Sequence, residues 1–567
     1  MKKYLIKNRI LMLLFIVAVP LSCYFSIKFA LSFEPIINSA IDKNFNMLKI
    51  ASIGCSIYAV LDCFFLLIVR YIRENILKEV YINVKKDLFS NIIKMNIEEF
   101  NEDNTGSYIS ILDNDVKLLG DSYFSNVLSI YSVIISFVFS FVTVFFLNYT
   151  ITILLILVAI CSIIIPKFSN KRLADLQEKY SESMKKYTSQ IKDFFEGFQV
   201  IKSFNVQDKV IRSHDQYNEI REQNGCNSRK TVYLAGWISM LFSIIMYVVT
   251  YITGGYFAIT GAMSVGLVIS LSQLIGGVVA PLEQLPAILA EINSTSKIRN
   301  KLEEIIKTKS LEERGEVLDK LPSEISMKNI SFAYNNSEVK AINNINLNFK
   351  EYKKYAIVGE SGSGKSTIAK LLLNFYKCNS GEIKFDDTEI SKIDSSYLYK
   401  AIGYINQNIF IFDDTLKNNI TLYNDYKDED IMKVIELSGL SEFVKRLPNG
   451  IYTNIGENGN TCSGGERQRI GIARALICRS KFLILDEATS SLDNITASQI
   501  INSVLSLKDT SSIVITHQLN YNLLSKCDYI YVMKNGRVIE EGKLDQLIDN
   551  KLYFSNLYNV NEKYNEV

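Results

Sequence analysis

The chain reads as a multi-domain protein, an α-helical six-span transmembrane domain followed by an α/β P-loop nucleotide-binding domain. Three observations carry this. Two stretches, Ser122–Pro166 and Val232–Leu282, contain no Asp, Glu, Lys or Arg. The composition breaks near residue 295. Beyond that break the glycine-rich run G-E-S-G-S-G-K-S-T, Gly359–Thr367, stands between a strand-like segment, Tyr355–Val358, and a helix-like one, Ile368–Asn374.

At 567 residues the chain has room for two or three domains. Each charge-free stretch is about twice the ~20 residues that cross a bilayer as a helix. Asn148, Tyr149 and Thr150 divide the first into two spans, and Gly254, Gly255 and Gly261 divide the second. Two more apolar runs precede them, so the expected spans are 10–33, 48–69, 123–147, 150–166, 232–254 and 264–286. A buried core helix is the competing explanation for apolar runs under about 15 residues, and these are longer. No small-residue cleavage site follows the first run, so it is expected to be a span and not a signal peptide.

Lys2, Lys3, Lys7 and Arg9 precede the first span, and the segments 70–117 and 167–230 are dense in Lys and Arg. Lys43 is the only cation well inside the loops on the other side. The positive-inside rule then predicts a multi-pass plasma-membrane protein with both termini cytoplasmic. Nine cysteines without a C-x-x-C pair suggest neither a disulfide framework nor a zinc site. A formal charge of +2 and the lack of a basic aromatic patch leave nothing that points to nucleic acid.

Lys28 and Asp62 are charged residues well inside the first two spans. A charge at membrane depth is costly and is a functional hypothesis by default. Lys28 lies toward a span end, where its stem can snorkel to the interface, so a structural role explains it equally well. Asp62 is too short to reach water from near mid-span, and is expected to face the central cavity and contribute to substrate recognition. Counting helical rise separates the two by roughly 15 Å in depth, too far for a salt bridge.

In the second half the glycine-rich run fits the phosphate-loop pattern G-x-x-x-x-G-K-[ST]. In a strand-to-helix setting, Gly359, Glu360, Ser361, Gly362, Ser363, Gly364 and Thr367 line the phosphates with backbone amides at a helix N-terminus. Lys365 then reaches the β- and γ-phosphates of ATP, and the Ser366 hydroxyl binds Mg²⁺. The run K-F-L-I-L-D-E, Lys481–Glu487, reads as a buried strand ending in two carboxylates. Asp486 is expected to bind Mg²⁺ and Glu487 to serve as general base for an attacking water. Alone, such a pair is more simply a solvated acidic turn; the phosphate loop changes that balance.

Just upstream stands C-S-G-G-E-R-Q-R-I, Cys462–Ile470, leading into a helix that runs to about Ile477. Here the chain resembles the ATP-binding cassette superfamily, whose signature is usually L-S-G-G-Q. Cys462 replaces Leu and Glu466 replaces Gln, while Ser463, Gly464 and Gly465 are intact. The resemblance implies that these three face the γ-phosphate in a second cassette, so the chain works as a dimer. It further implies that Tyr334 in S-F-A-Y stacks on adenine and that Gln407 in I-N-Q-N contacts Mg²⁺ and water. His517 in V-I-T-H would hold the γ-phosphate, and Asp493 in S-S-L-D would touch the opposite site.

The segments Phe100–Val116 and Phe194–Val206 resemble the coupling regions of ABC exporters, and T-N-I-G-E-N-G, Thr453–Gly459, resembles a loop of exporter-type cassettes. The likeness covers almost the whole chain and implies a transmembrane domain over 1–295, a linker over 296–323 and a cassette over 324–560. The function implied is an ATP-driven, ATP-hydrolysing exporter of an amphipathic lipid, peptide or drug, acting by alternating access. The partner is a second copy of itself or a related half-transporter. Import on the same fold, and an ATP-gated channel or receptor, stay open at this point.

Overall fold

A computed structural model describes the chain except for residues 168–169, 308–315, 319, 335–338, 408, 457–458, 460–461, 489–493 and 566–567. It divides into two compact units, Met1–Ile92 with Thr105–Lys307, and Ile93–Asn104 with Thr308–Val567.

The first unit is helical. Its main elements are α1 (Arg9–Leu31), α2 (Phe45–Ile93), α3 (Ser125–Leu147), α4 (Tyr149–Lys167), α5 (Asn170–Glu196), α6 (Gln207–Ile259) and α7 (Val265–Ser294). Their ends follow local chemistry. Asn8 caps α1 by accepting from the Leu11 N–H at 3.2 Å, and Ser264 caps α7 by accepting from Leu267 at 3.1 Å. Asn148 breaks the α3–α4 run by turning extended, and its side chain accepts from the Ile151 N–H at 3.0 Å.

Among the described residues five helices are long and apolar enough to cross a membrane, and the part of α4 over Tyr149–Ile160 is a shorter apolar stretch. Two greatly exceed a bilayer: α2 has 49 residues and α6 has 53. At ~1.5 Å per residue they are about 70 and 80 Å long, so each carries a long extension beyond its apolar stretch. Helix α7 is the most enclosed, packing Leu271, Ile275 and Val279 against Val144, Ile151 and Met246. Gly277 makes that packing possible, because a Cβ there would collide with the Ser140 hydroxyl. Large apolar residues such as Phe146, Trp237 and Ile259 stay exposed, as a surface meant for lipid would. Residues 296–307, at the start of the expected linker, form a helix (Ser296–Lys307). Leu302 and Ile305 on one face are buried, which accounts for it.

The second unit holds two sheets. The strands are β1 (Glu324–Phe332), β2 (Ile342–Lys350), β3 (Lys354–Gly359), β4 (Ser380–Phe385), β5 (Thr388–Glu389), β6 (Ile402–Ile405), β7 (Phe482–Asp486), β8 (Ser511–Thr516), β9 (Tyr529–Lys534) and β10 (Arg537–Gly542). Strands β2-β1-β4-β5 make an antiparallel sheet, and β10-β9-β3-β8-β7-β6 make a six-stranded one in which only β10 runs antiparallel. All five residues of β7 and all six of β8 are buried, as expected of parallel strands covered on both faces. Successive residues of β3 serve opposite cores, Tyr355 and Ile357 one, Ala356 and Val358 the other. The order β3-β8-β7 sets the C-terminal ends of these strands side by side. Whatever follows each strand therefore meets at one edge.

A third cluster forms around Leu416, Ile420, Ile431, Ile435, Phe443, Cys462, Ile470 and Ala473. The short segment Ile93–Asn104 also belongs to this unit. Its helix Ile97–Phe100 is capped by Asn96, and the Asn101 side chain donates to the Tyr376 hydroxyl at 3.2 Å.

Candidate functional site

The loop after β3 turns only because it is glycine-rich. Gly359, Gly362 and Gly364 have φ of 155°, 78° and 99°, and a Cβ on Gly359 would strike the Met533 carbonyl. Helix α8 (Lys365–Leu372) starts there, with Gly364 at its N-cap. The Lys365 ammonium is buried and donates to the carbonyls of Gly359 at 2.9 Å and Glu360 at 2.8 Å. Burial lowers its pKa from the ordinary lysine value, while Glu487 and Asp486 oppose that shift. Thr367 meets the Tyr334 hydroxyl at 3.2 Å, and Ser361 is exposed. Glu360 accepts from the Tyr553 hydroxyl at 2.6 Å, an anchor from near the C-terminus.

At the end of β7, Asp486 accepts from the Ser366 hydroxyl at 2.9 Å and from the Tyr404 hydroxyl at 3.2 Å. Burial raises its pKa; the two hydroxyl donors pull it back, and the neighbouring Glu487 adds to the rise. The next residue leaves the strand with the left-handed φ of 47°, a conformation held by its N–H on the Ile515 carbonyl at 3.0 Å. That turn directs the Glu487 carboxylate between two partners. Gln407 Nε2 donates to Oε2 at 2.8 Å, and His517 Nδ1 lies 2.9 Å from Oε1. A carboxylate only accepts, so Nδ1 carries the shared proton. A carboxylate fixed in this way can orient a water and take its proton.

The adenine candidate Tyr334 packs edge-on against Phe332 and Tyr376, with ring centres 4.9 and 5.3 Å away. The Lys370 ammonium lies 5.8 Å from its ring centre. The signature residues stand apart from this group. Ser463 is the exposed N-cap of α9 (Gly464–Ile477), which opens with Gly464 and Gly465. Its hydroxyl accepts from the Glu466 N–H at 3.2 Å, and its own N–H donates to Glu466 Oε2 at 2.7 Å. Among the described residues this network reaches Arg446, not the phosphate loop. Asp493 lies outside the described residues.

In the membrane unit, Asp62 accepts from the Ser26 hydroxyl. Ser26 lines a cavity of about 250 Å³ together with Ser22, Ser132, Ser136, Ser140 and Gln273. Lys28 lies 5.6 Å from the ring centre of Tyr24. Sequence reasoning passed over several of these partners. Tyr404 carried a signal, a tyrosine three residues before Gln407 at a strand end. Glu283 did too, as a carboxylate inside the sixth expected span, and it accepts from Ser243 on α6. Arg446, Tyr553 and Ser26 reach their partners only through the fold.

Comparison with known proteins supplies the family. A model of the ABC transporter transmembrane region matches residues 12–282, and one of the ABC transporter matches residues 342–490. The chain is 31% identical over 513 residues to an export ATP-binding/permease protein of Rickettsia typhi, covering 86% of this chain and 85% of that one. It is 28% identical over 486 residues to an ATP-dependent lipid A-core flippase of Pectobacterium atrosepticum, covering 85% and 83%. The fold is similar to that of a bacterial Atm1-family ABC exporter solved with ATP bound, with a TM-score of 0.83, 20% identity and coverage of 97% and 98%. With a membrane region and a nucleotide-binding region matched in sequence along one chain, the protein belongs to the ABC transporter family, as an ATP-hydrolysing half-transporter of the exporter type.

Proposed function

We propose that two copies of this chain, each with its termini in the cytoplasm, bind two Mg²⁺–ATP between their cassettes and move an amphipathic, lipid-like compound out across the plasma membrane. The observation that carries the hydrolytic half is the pinned carboxylate, Glu487 held between Gln407 and His517. In this reading Glu487 takes the proton of the attacking water, His517 and Lys365 hold the γ-phosphate, and Tyr334 stacks on adenine. Ser463, Gly464 and Gly465 close on the nucleotide of the other copy, and Asp493 reaches toward it. ATP then binds the closed pair of cassettes better than the open pair, and that difference drives alternating access.

The oxygen donors Ser366, Asp486 and Gln407 suit a hard cation such as Mg²⁺. Among the described residues no cluster of three or more His, Cys, Asp or Glu is fit to hold a metal alone. That agrees with an ion held mainly by phosphate and water. Mg²⁺ would neutralise charge on the β- and γ-phosphates during transfer.

The cargo reading is supported by the cavity, whose hydroxyls face apolar walls from Ile27, Leu66, Val69 and Leu274. Asp62, which accepts from the cavity-lining Ser26, supports a role in recognising the polar part of the cargo. The lipid-named relatives point the same way. The test is ATPase stimulation and ATP-dependent transport in proteoliposomes, with lipids, peptides and drugs compared. Stimulation and outward transfer of lipid-like amphipaths are expected. Stimulation confined to soluble polar compounds, or transfer in the opposite sense, would overturn the cargo or the direction.

A further inference from the structure

The signature of this chain carries a carboxylate, Glu466, two residues into a helix whose N-terminus is expected to meet phosphate. A negative charge there opposes an anionic ligand unless something cancels it. Glu466 is only 7% exposed, so solvent screens it poorly. One of its oxygens accepts the Ser463 N–H, and the other accepts Arg446 Nη2 at 2.6 Å. Arg446 comes from a different helix, Ser441–Arg446, where its guanidinium also lies 5.9 Å from the Phe443 ring centre. The Ser463 hydroxyl oxygen is occupied by the Glu466 N–H, and its hydrogen has no acceptor among the described residues. The serine hydroxyl, which is exposed, therefore keeps its hydrogen available to donate. Burial acts to raise the Glu466 pKa, but its hydrogen bonds from Ser463 and its pairing with Arg446 prevail and hold it below the usual glutamate value.

We infer that Arg446 is a positioning residue for nucleotide engagement: it neutralises Glu466, and so lets a carboxylate hold Ser463 in its donor orientation without repelling the γ-phosphate. This rests on the proposed role of Ser463 toward the second copy's nucleotide. A neutral amide at position 466 would keep the bond to the Ser463 N–H through its carbonyl oxygen and would carry no charge to cancel. The pair thus replaces one uncharged side chain by two charged ones. Removing only the cation leaves a poorly solvated charge beside the anion site.

The test is a double-mutant cycle on the full-length protein in proteoliposomes, reading kcat and KM for ATP together with the melting temperature. Arg446→Ala is expected to raise KM for ATP, or lower kcat/KM, by about tenfold. Glu466→Gln alone should stay near wild type, and the double variant Arg446→Ala/Glu466→Gln should recover. Arg446→Met replaces alanine if the shorter side chain costs the fold. A double variant as impaired as Arg446→Ala would overturn the proposal, because Arg446 would then be acting on the nucleotide directly. A melting-temperature loss with unchanged KM would also overturn it, leaving a structural ion pair. Ser463→Ala separates the two readings. If it is impaired while Arg446→Ala is not, this inference alone fails; if neither is impaired, the role of Ser463 fails with it.

Discussion

Replacing Glu487 by glutamine removes the proposed base and almost nothing else. The amide is isosteric with the carboxylate, and its carbonyl oxygen can still accept from His517 Nδ1, now 2.9 Å from Oε1. Its nitrogen would face Gln407 Nε2, 2.8 Å from Oε2. That donor–donor conflict is relieved when the new amide turns over, its oxygen accepting from Gln407 Nε2 and its nitrogen donating to Nδ1 of the other His517 tautomer, so that Gln407 keeps its own oxygen for the cation. The backbone at 487 keeps its left-handed turn and its bond to Ile515, because both are independent of the side-chain charge. Binding should therefore survive, with the ATP Kd within about threefold of wild type, or ~0.7 kcal/mol. Turnover should fall by ~10²- to 10⁴-fold, the usual cost of a lost general base. At ~1.36 kcal/mol per decade this is about 3 to 5 kcal/mol of barrier. Phosphate release at saturating ATP gives kcat, and size-exclusion chromatography with ATP should reveal an ATP-closed dimer that persists. A kcat within a few-fold of wild type would refute the assignment of Glu487, and with it the reading of the pinned carboxylate.

Tyr334→Ala should weaken nucleotide binding by ~1 to 3 kcal/mol, the scale of one base–aromatic stack, whereas Tyr334→Phe or Trp should be nearly neutral. Equal affinities across the three, measured with a fluorescent ATP analogue, would remove Tyr334 from the adenine site. Asp486→Asn should abolish hydrolysis and, in protein free of Mg²⁺ and nucleotide, raise the melting temperature at pH 7. The raised pKa of Asp486 means that its charged form disfavours the folded state. The stability its carboxyl contributes is present below its unfolded pKa of about 4 and is lost as pH rises through the higher folded value. The gap between variant and wild type should shrink as pH falls toward 4, and a variant melting lower at pH 7 would contradict this. Asp62→Asn should change cargo-stimulated ATPase activity in proteoliposomes while leaving basal activity and yield near wild type. Untouched stimulation would make Asp62 a packing residue.

Much of this protein is written in local sequence. Charge-free runs specify helices in lipid because a bilayer offers no partner for backbone or charge. The glycines of the phosphate loop are legible because left-handed φ values exclude most other residues. The apolar centres of β7, Phe482–Leu485, and of β8, Ile513–Ile515, are legible because strands buried on both faces read as continuous apolar runs. Motif order along the chain also announced which residues would be of interest. What it did not contain is which of them meet. Gln407, Glu487 and His517 are joined only by the strand order β3-β8-β7-β6, which arises from non-local pairing. The same holds for Arg446 on Glu466, Tyr404 on Asp486 and Ser26 on Asp62, pairs separated by 20, 82 and 36 residues. Asn101 and Tyr376 share a unit across 275 residues. Side-chain identity is a local property and can be read along the chain. A hydrogen bond between distant residues exists only after packing has paid the entropy of bringing them together, so the tertiary structure alone decides it.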